Sequence, residues 1–311
     1  PYTSYAKHHK NVFRKLISLP FISLKLFFFA KKCKPDILLG LGSISASIVA
    51  FLLSKPYICY EDTGNMEQMI LYKYFTSTVI TPSNFTYDFG KRHIRINSTK
   101  EIAYLHPNYF VPNINVLKEL GIETNQKFIL IRLVSWAATH DIGHKGIYME
   151  TLKELINELE KYAIVYISSE KEIPKEFLKY KLSLTSDKMH DIMYFAHFIY
   201  GESGTMTSEA AILGTPAIFI NNARLSYTIE QEEKYGLTYN YTESNEDQLK
   251  SVNKALELVQ HNDLKKESLV KRDVMLTEKV NLTAFLIWFV ENYPKSKEIM
   301  KDNPDYQYNF K

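Results

Sequence analysis

The stretch GESGTMTSEAAILGTPAIF, from Gly201 to Phe219, gathers groups that can hold an anion. Its pattern predicts a buried strand end, a tight glycine turn, a short helix beginning near Thr205 and a second buried strand. The first turn of a helix leaves backbone N–H groups without intrahelical partners, and the helix dipole adds positive potential there. Gly204 lets the backbone approach a ligand closely or adopt positive φ. Thr205, Thr207 and Ser208 add hydroxyls, and Glu209, about one turn in, suits the two hydrogen bonds of a ribose diol. Such a turn would cradle a diphosphate. A reading without a ligand stays open, because the dipole alone favours acids early in a helix and LGTP is an ordinary helix stop. Neither a Gly-Lys-Ser/Thr sequence nor GxGxxG is present. Glu202 has no role here beyond shaping the turn.

A second cluster, IRLVSWAATHDIGHKG (Ile131 to Gly146), leaves another strand. Arg132 is placed to clamp a phosphate through two parallel hydrogen bonds. Ser135, His140, Asp141, His144 and Lys145 crowd one loop, and functional groups concentrate on loops between rigid strands. His140 and His144 have the i, i+4 spacing of a helical metal pair. Gly143 and Gly146 argue against a helix there and no third ligand is evident, so no metal is expected. In CYEDTGNMEQ, Glu61 and Asp62 follow a strand, where either acid could act as general base. The alternative is an N-cap from Asp62 or Thr63. GLGSISAS (Gly40 to Ser47) repeats the strand–glycine–helix arrangement. Glu230 and Gln231 either hold sugar hydroxyls or form a solvated helix face.

The elements that position these groups alternate. Strands are expected at DILLGLG, PYICYED, TVITPS and EIAYL, with helices at SISASIVAFLLS and NMEQMILYKYF. After HPNYFVPN, read as a linker, comes the helix VLKELG. A second strand series follows: KFILIRLVS, AIVYISS, LSL, FIYGES and PAIFIN. β-α-β alternation predicts parallel sheets covered by helices on both faces. The expected organisation is a first Rossmann-like domain over 1–112, a second over 113–280, and a helix crossing back with a polar, frayed tail over 281–311. The two sheets would face a cleft at the carboxyl ends of their strands, where open α/β sheets bind ligands. The apolar segment NLTAFLIWFVENY is expected to be buried on most sides.

Composition bounds the rest. The 311 residues, 45% hydrophobic and 23% charged, can build a sizeable core. Cys33 and Cys59 show neither a disulfide framework nor metal-ligand spacing, so a reduced, cytoplasmic setting is the default. Eight of the 38 basic residues precede Asp36 and none of the 35 acidic ones does. This basic segment contains LPFISLKLFFFA, too short and broken for a membrane span. It is either a helix packed on a sheet with snorkelling lysines or an amphipathic helix on an anionic membrane surface. The chain begins with Pro1, with no signal-peptide pattern, which suggests a start internal to a longer protein. There is no Gly-x-Ser-x-Gly elbow, no kinase motif, and no basic helix with interleaved aromatics for nucleic-acid binding.

Together, DILLGLGSISASIVAFLLSKPYICYEDT, EIAYLHPNYFVPN, IRLVSWAATHDIGHKG and GESGTMTSEAAILGTPAI resemble an uncharacterised prokaryotic domain-of-unknown-function family with a glycosyltransferase-B-like (GT-B-like) fold. The resemblance runs from about Pro35 to about Gly236. The wider superfamily includes nucleotide-sugar glycosyltransferases and UDP-N-acetylglucosamine 2-epimerases. That similarity implies phosphate contacts from Ser203, Gly204 and Thr205, a ribose contact from Glu209, and a role for Arg132 at the nucleotide. It also implies that the first domain lacks its N-terminal strand. The expectation is a metal-independent glycosyltransferase without a bound cofactor, using a nucleotide-sugar donor, most simply a UDP-sugar, and a sugar or lipid-linked acceptor. Asp62 or Glu61 would be the base, with peripheral attachment at the inner face of the membrane. A sugar-nucleotide 2-epimerase using His140, Asp141 or His144, and a non-catalytic sugar-nucleotide-binding protein, are the alternatives.

Overall fold

The computed structural model describes residues 12–134, 145–170, 172–223 and 225–311. In chain order the first elements are α1 (Val12–Cys33), β1 (Leu38–Leu41), α2 (Ile44–Leu52), β2 (Tyr57–Tyr60), α3 (Met66–Tyr72), β3 (Thr78–Pro82) and β4 (His93–Ile96). Then come α4 (Ile102–Leu105), α5 (Asn115–Leu120), β5 (Phe128–Leu133), α6 (Met149–Leu159), β6 (Ile164–Ser169), α7 (Met189–Phe195), β7 (Phe198–Gly201), α8 (Gly204–Ile212) and β8 (Ala217–Ile220). The chain continues through α9 (Ser226–Glu233), β9 (Thr238–Tyr241), α10 (Asn245–Gln260), α11 (Leu264–Glu278), α12 (Leu282–Glu291) and α13 (Lys295–Asp302). Two compact units result. Unit 1 holds the residues up to Lys100 together with Val280–Lys311, and unit 2 holds Glu101–Lys279.

In unit 2, five parallel strands run in the order β6-β5-β7-β8-β9. Alternation along β5 sends Phe128 and Leu130 into one core layer and Ile129 and Ile131 into the other. All four are fully or almost fully buried, as a parallel sheet covered on both faces requires. Gly201 sits where β7 pairs with β5: a Cβ there would lie 2.5 Å from the Arg132 carbonyl oxygen. Helix α5 ends as its sequence predicts, with Gly121 left-handed at φ 71°. The segment HPNYFVPN lies within this unit.

In unit 1, four parallel strands run β1-β2-β3-β4. The expected fourth strand over EIAYL is instead helix α4. Its apolar residues Ile102 and Leu105 are three apart, share a buried face and suit a helical turn. The fourth strand lies earlier, where Ile94 and Ile96 alternate with His93 and Arg95 at period two. Strand β1, expected to be buried, is an edge whose Leu39 and Leu41 stand exposed. LSL is not a strand; an isolated bridge to Ile167 is made by Lys181, just before it.

The tail, expected to fray, is ordered. Helix α13 is followed by a 3-10 turn over Pro304–Asn309. Tyr306 stacks on Trp288 at 4.9 Å between ring centroids, and the Gln307 side chain accepts from the Asn97 N–H at 2.7 Å. Aromatic burial along α12, with Phe285 and Phe289 stacked at 5.5 Å, supplies the surface that holds it. Helix α12 is buried along one side only, since Ile287 is exposed.

His197 in unit 2 is buried beside β5, with Nε2 donating to the Leu258 carbonyl at 3.0 Å. Burial pushes its pKa down to about 4. Its neutral form is therefore the folded form, and its contribution to stability is full above the unfolded value near 6.5. That contribution is lost as pH falls from there towards 4. Chemical denaturation at stepped pH should show a loss on the order of 2–3 kcal/mol from this group, absent in His197→Gln.

Candidate functional site

The start of α8 is organised by its own residues. Ser203 is the N-cap, its Oγ accepting from the Met206 N–H at 3.3 Å and its carbonyl from Thr207 at 2.9 Å. The N–H groups of Gly204 and Thr205 carry no hydrogen bond among the described residues. From Met206 to Ile212 every α8 residue is buried, so solvent reaches this helix at Ser203, Gly204 and Thr205. Gly204 is closely covered: a Cβ there would sit 2.2 Å from Leu225 Cδ1 and 3.0 Å from the Tyr227 hydroxyl, so those side-chain ends would have to shift.

Glu209, one turn in, is buried but engaged on one oxygen. Its Oε1 accepts from the Tyr104 hydroxyl at 2.8 Å and lies 3.1 Å from His190 Nε2. The His190 ring is tilted against Tyr104 and edge-on to Phe110. This clamp fixes the carboxylate, and among the described residues Oε2 has no partner. Beside it, Gln231 Nε2 donates to Ser208 Oγ at 2.9 Å, and Ser208 donates to Glu101 at 3.4 Å. Gln231 is therefore an internal strut, buried to 4% exposure with Oε1 unpartnered. Glu230 pairs with Lys279 at 2.6 Å.

Glu202 has a structural role that the sequence did not disclose. Its buried carboxylate accepts from the Val134 N–H at 2.8 Å and the Ile147 N–H at 2.6 Å. Residues 134 and 147 flank the polar loop after β5, so one side chain holds both of its ends beside the α8 turn. Glu243 accepts from Lys145 and Gly146, and Gln248 bonds Tyr148, Gly146 and Glu243. Neither Glu243 nor Gln248 stood out in the sequence, because both lie about 100 residues from the groups they satisfy. Ser135, His140, Asp141 and His144 lie outside the described residues. Among the described residues no cluster of three His, Cys, Asp or Glu side chains is arranged for a metal.

Arg132 reaches along the sheet to β6. It donates to Ser168 Oγ at 2.8 Å and pairs with Glu170 just beyond the strand end.

In unit 1, Glu61 is a hub. Its Oε1 accepts from the Thr63 N–H and hydroxyl and the Gly64 N–H, and its Oε2 takes the Tyr72 hydroxyl. With both oxygens occupied and 3% exposure, it holds the turn after β2. Asp62 pairs with Lys100 at 2.8 Å. Neither Asp62 nor Thr63 caps α3, whose N-cap position is Asn65. The turn after β1 rests on the same layer: Gly42 N–H donates to Cys59 Sγ and Ser43 N–H to the Tyr57 hydroxyl. Burial pushes the Cys59 thiol up to about 12, so it stays protonated and structural.

Two parallel α/β units of this construction define a GT-B-like fold. The chain superposes on a putative UDP-N-acetylglucosamine 2-epimerase from Listeria monocytogenes with TM-score 0.60, at 14% identity, covering 88% of this chain and 81% of that one. A UDP-GlcNAc 2-epimerase from Methanocaldococcus jannaschii, solved with UDP-GlcNAc and UDP, gives TM-score 0.53 at 14% identity, covering 81% and 79%. A spinosyn rhamnosyltransferase complexed with thymidine diphosphate gives 0.55 at 11% identity, covering 88% and 78%. The chain belongs to the family described as "Protein of unknown function (DUF354)", whose model matches residues 1–283. It is also 27% identical over 223 residues to "Uncharacterized protein MJ0665" of Methanocaldococcus jannaschii, covering 68% of this chain and 65% of that protein.

Replacing Glu202 with Ala should leave two partly buried N–H groups without their carboxylate acceptor and lower stability by about 1–3 kcal/mol. Hydrogen exchange would check the cause. The Val134 and Ile147 amides should lose protection in the variant well before those of β5 and β7.

Proposed function

We propose that this protein is a nucleotide-sugar-dependent glycosyltransferase of GT-B type, acting in surface polysaccharide or glycolipid synthesis at the inner face of the membrane. The observation that carries the reading is the start of α8. Two uncommitted N–H groups, at Gly204 and Thr205, open to solvent one turn ahead of a clamped carboxylate with one oxygen to spare. A diphosphate accepts hydrogen bonds and is drawn to a helix N-terminus, whereas a ribose diol donates to a carboxylate. The order of these groups along α8 matches the order phosphate, ribose in a nucleotide. The Ser203 and Thr205 hydroxyls would add donors to the phosphates.

In a transfer reaction the charge that develops on the leaving diphosphate is met by fixed backbone dipoles, which need no reorganisation at the moment of reaction. Arg132 would join by exchanging Glu170 for phosphate. The loop carrying His140 and His144, and Glu230 of α9, are assigned to the sugar side; Gln231, buried as a strut to Ser208, is not. Asp62 is proposed to take the proton of the acceptor hydroxyl. The basic apolar segment at the start of the chain favours a lipid-linked acceptor over a soluble one.

Incubation with a panel of UDP-, GDP- and CMP-sugars separates the readings. Donor consumption only in the presence of an acceptor supports transfer, an epimerised sugar nucleotide supports a 2-epimerase, and binding without turnover supports a non-catalytic role. UDP at about 100 times its dissociation constant should stabilise the wild type by about 2.7 kcal/mol. Glu209→Ala should weaken UDP binding roughly tenfold or more through loss of the ribose hydrogen bonds. If no nucleotide shifts the melting temperature of the wild type, the nucleotide site is wrong.

A further inference from the structure

Helix α1 is apolar on two opposite sides. One side faces inward, where the helix packs on α2 and Ser23 and Ala30 are buried. On the other side Ile17, Phe21, Leu24 and Phe28 follow one another at spacings of four, three and four, and stand 53–66% exposed. That spacing forms a single stripe along the helix. Projected at ~100° per residue, Lys25 and Lys32 fall roughly 50–70° to one side of the stripe and Lys31 about 50° to the other. Lys34 follows the helix. All four lysines are exposed, and none enters an ion pair among the described residues. No acidic residue occurs before Asp36.

We infer that this outer face of α1 lies on an anionic lipid bilayer, with the phenylalanines in the acyl boundary and the lysines at the headgroups. The charge pattern selects that occupant. A partner helix would cover the stripe equally well, but it gives no reason for unpaired lysines along both borders. In-plane binding needs both features, because apolar burial supplies depth and flanking cations meet anionic headgroups while their stems snorkel. Among the described residues no helix is long and apolar enough to cross a membrane. The inference does not rest on the nucleotide reading: a helix face can bind lipid whether or not α8 binds a nucleotide.

The test is flotation of the whole chain with vesicles of phosphatidylcholine alone and with roughly 30% phosphatidylglycerol added. The wild type should float with the anionic vesicles and stay down with the neutral ones, and raising the salt should release it. Reversing Lys25, Lys31 and Lys32 to Glu should cut partitioning roughly 100-fold. Phe21→Ser with Phe28→Ser should cut it roughly tenfold or more. These side chains are exposed, so circular dichroism and melting temperature should not change. Absence of flotation by the wild type, equal flotation with neutral vesicles, or indifference to both variant sets would overturn the inference. So would a dimer in sedimentation that Phe21→Ser with Phe28→Ser dissociates, since the stripe would then belong to a second copy. The lipid comparison on the wild type decides the matter even where a variant fails to fold.

Discussion

One buried carboxylate organises the candidate site. Glu202 directly follows β7 and immediately precedes the N-cap of α8, and it accepts the N–H groups of Val134 and Ile147. A buried carboxylate without partners is expensive, so its presence requires donors, and the backbone flanking the polar loop supplies them. The same residue therefore fixes where the loop leaves the sheet, where it returns and where the helix begins. The backbone of Ser203 and Gly204 is fixed in place because the chain before them is held by Glu202. Glu243 and Gln248 extend this support from the neighbouring segment.

The alternation of strands and helices was readable because buried parallel strands leave continuous β-branched and aromatic runs. The tight glycines at Gly42, Gly121 and Gly204 also marked turns correctly. Reading failed where short segments left the period ambiguous. EIAYL is too short to separate period two from period 3.6, and only the burial of Ile102 against Leu105 decides it. The ordered tail was misread because its polarity hides a few anchoring groups, Tyr306 on Trp288 and Gln307 at Asn97. Within the candidate site the α8 turn was legible, since N-cap, glycine and acid fall within one short segment. The Tyr104–His190–Glu209 clamp was not. Its members come from three separate places in the chain, and spacing carries no trace of such a meeting.

The two acids after β2 show why residue type alone misleads. Glu61 and Asp62 are neighbours with the same chemistry, yet strand alternation gives them different surroundings. Glu61 turns inward to Tyr72 and the turn backbone, whereas Asp62 meets Lys100 nearer the surface. The layer of Tyr57, Cys59 and Glu61 below the turns of unit 1 is built from groups that elsewhere would be taken for catalysts. Here burial keeps the thiol and the phenols protonated, and they serve as hydrogen-bonding supports.

The close approach of Leu225 and Tyr227 to Gly204 also bears on how such a site can diverge. A side chain at that position would have to displace the ends of the Leu225 and Tyr227 side chains at the start of α9. A ligand held at this turn as proposed would be held by the main chain, which point mutation does not rewrite. A lineage carrying this turn could then exchange the chemistry around it, through the loop and the acids of α9, while the proposed anchor for a common ligand group stayed as it is. New activities would arise around an unchanging grip.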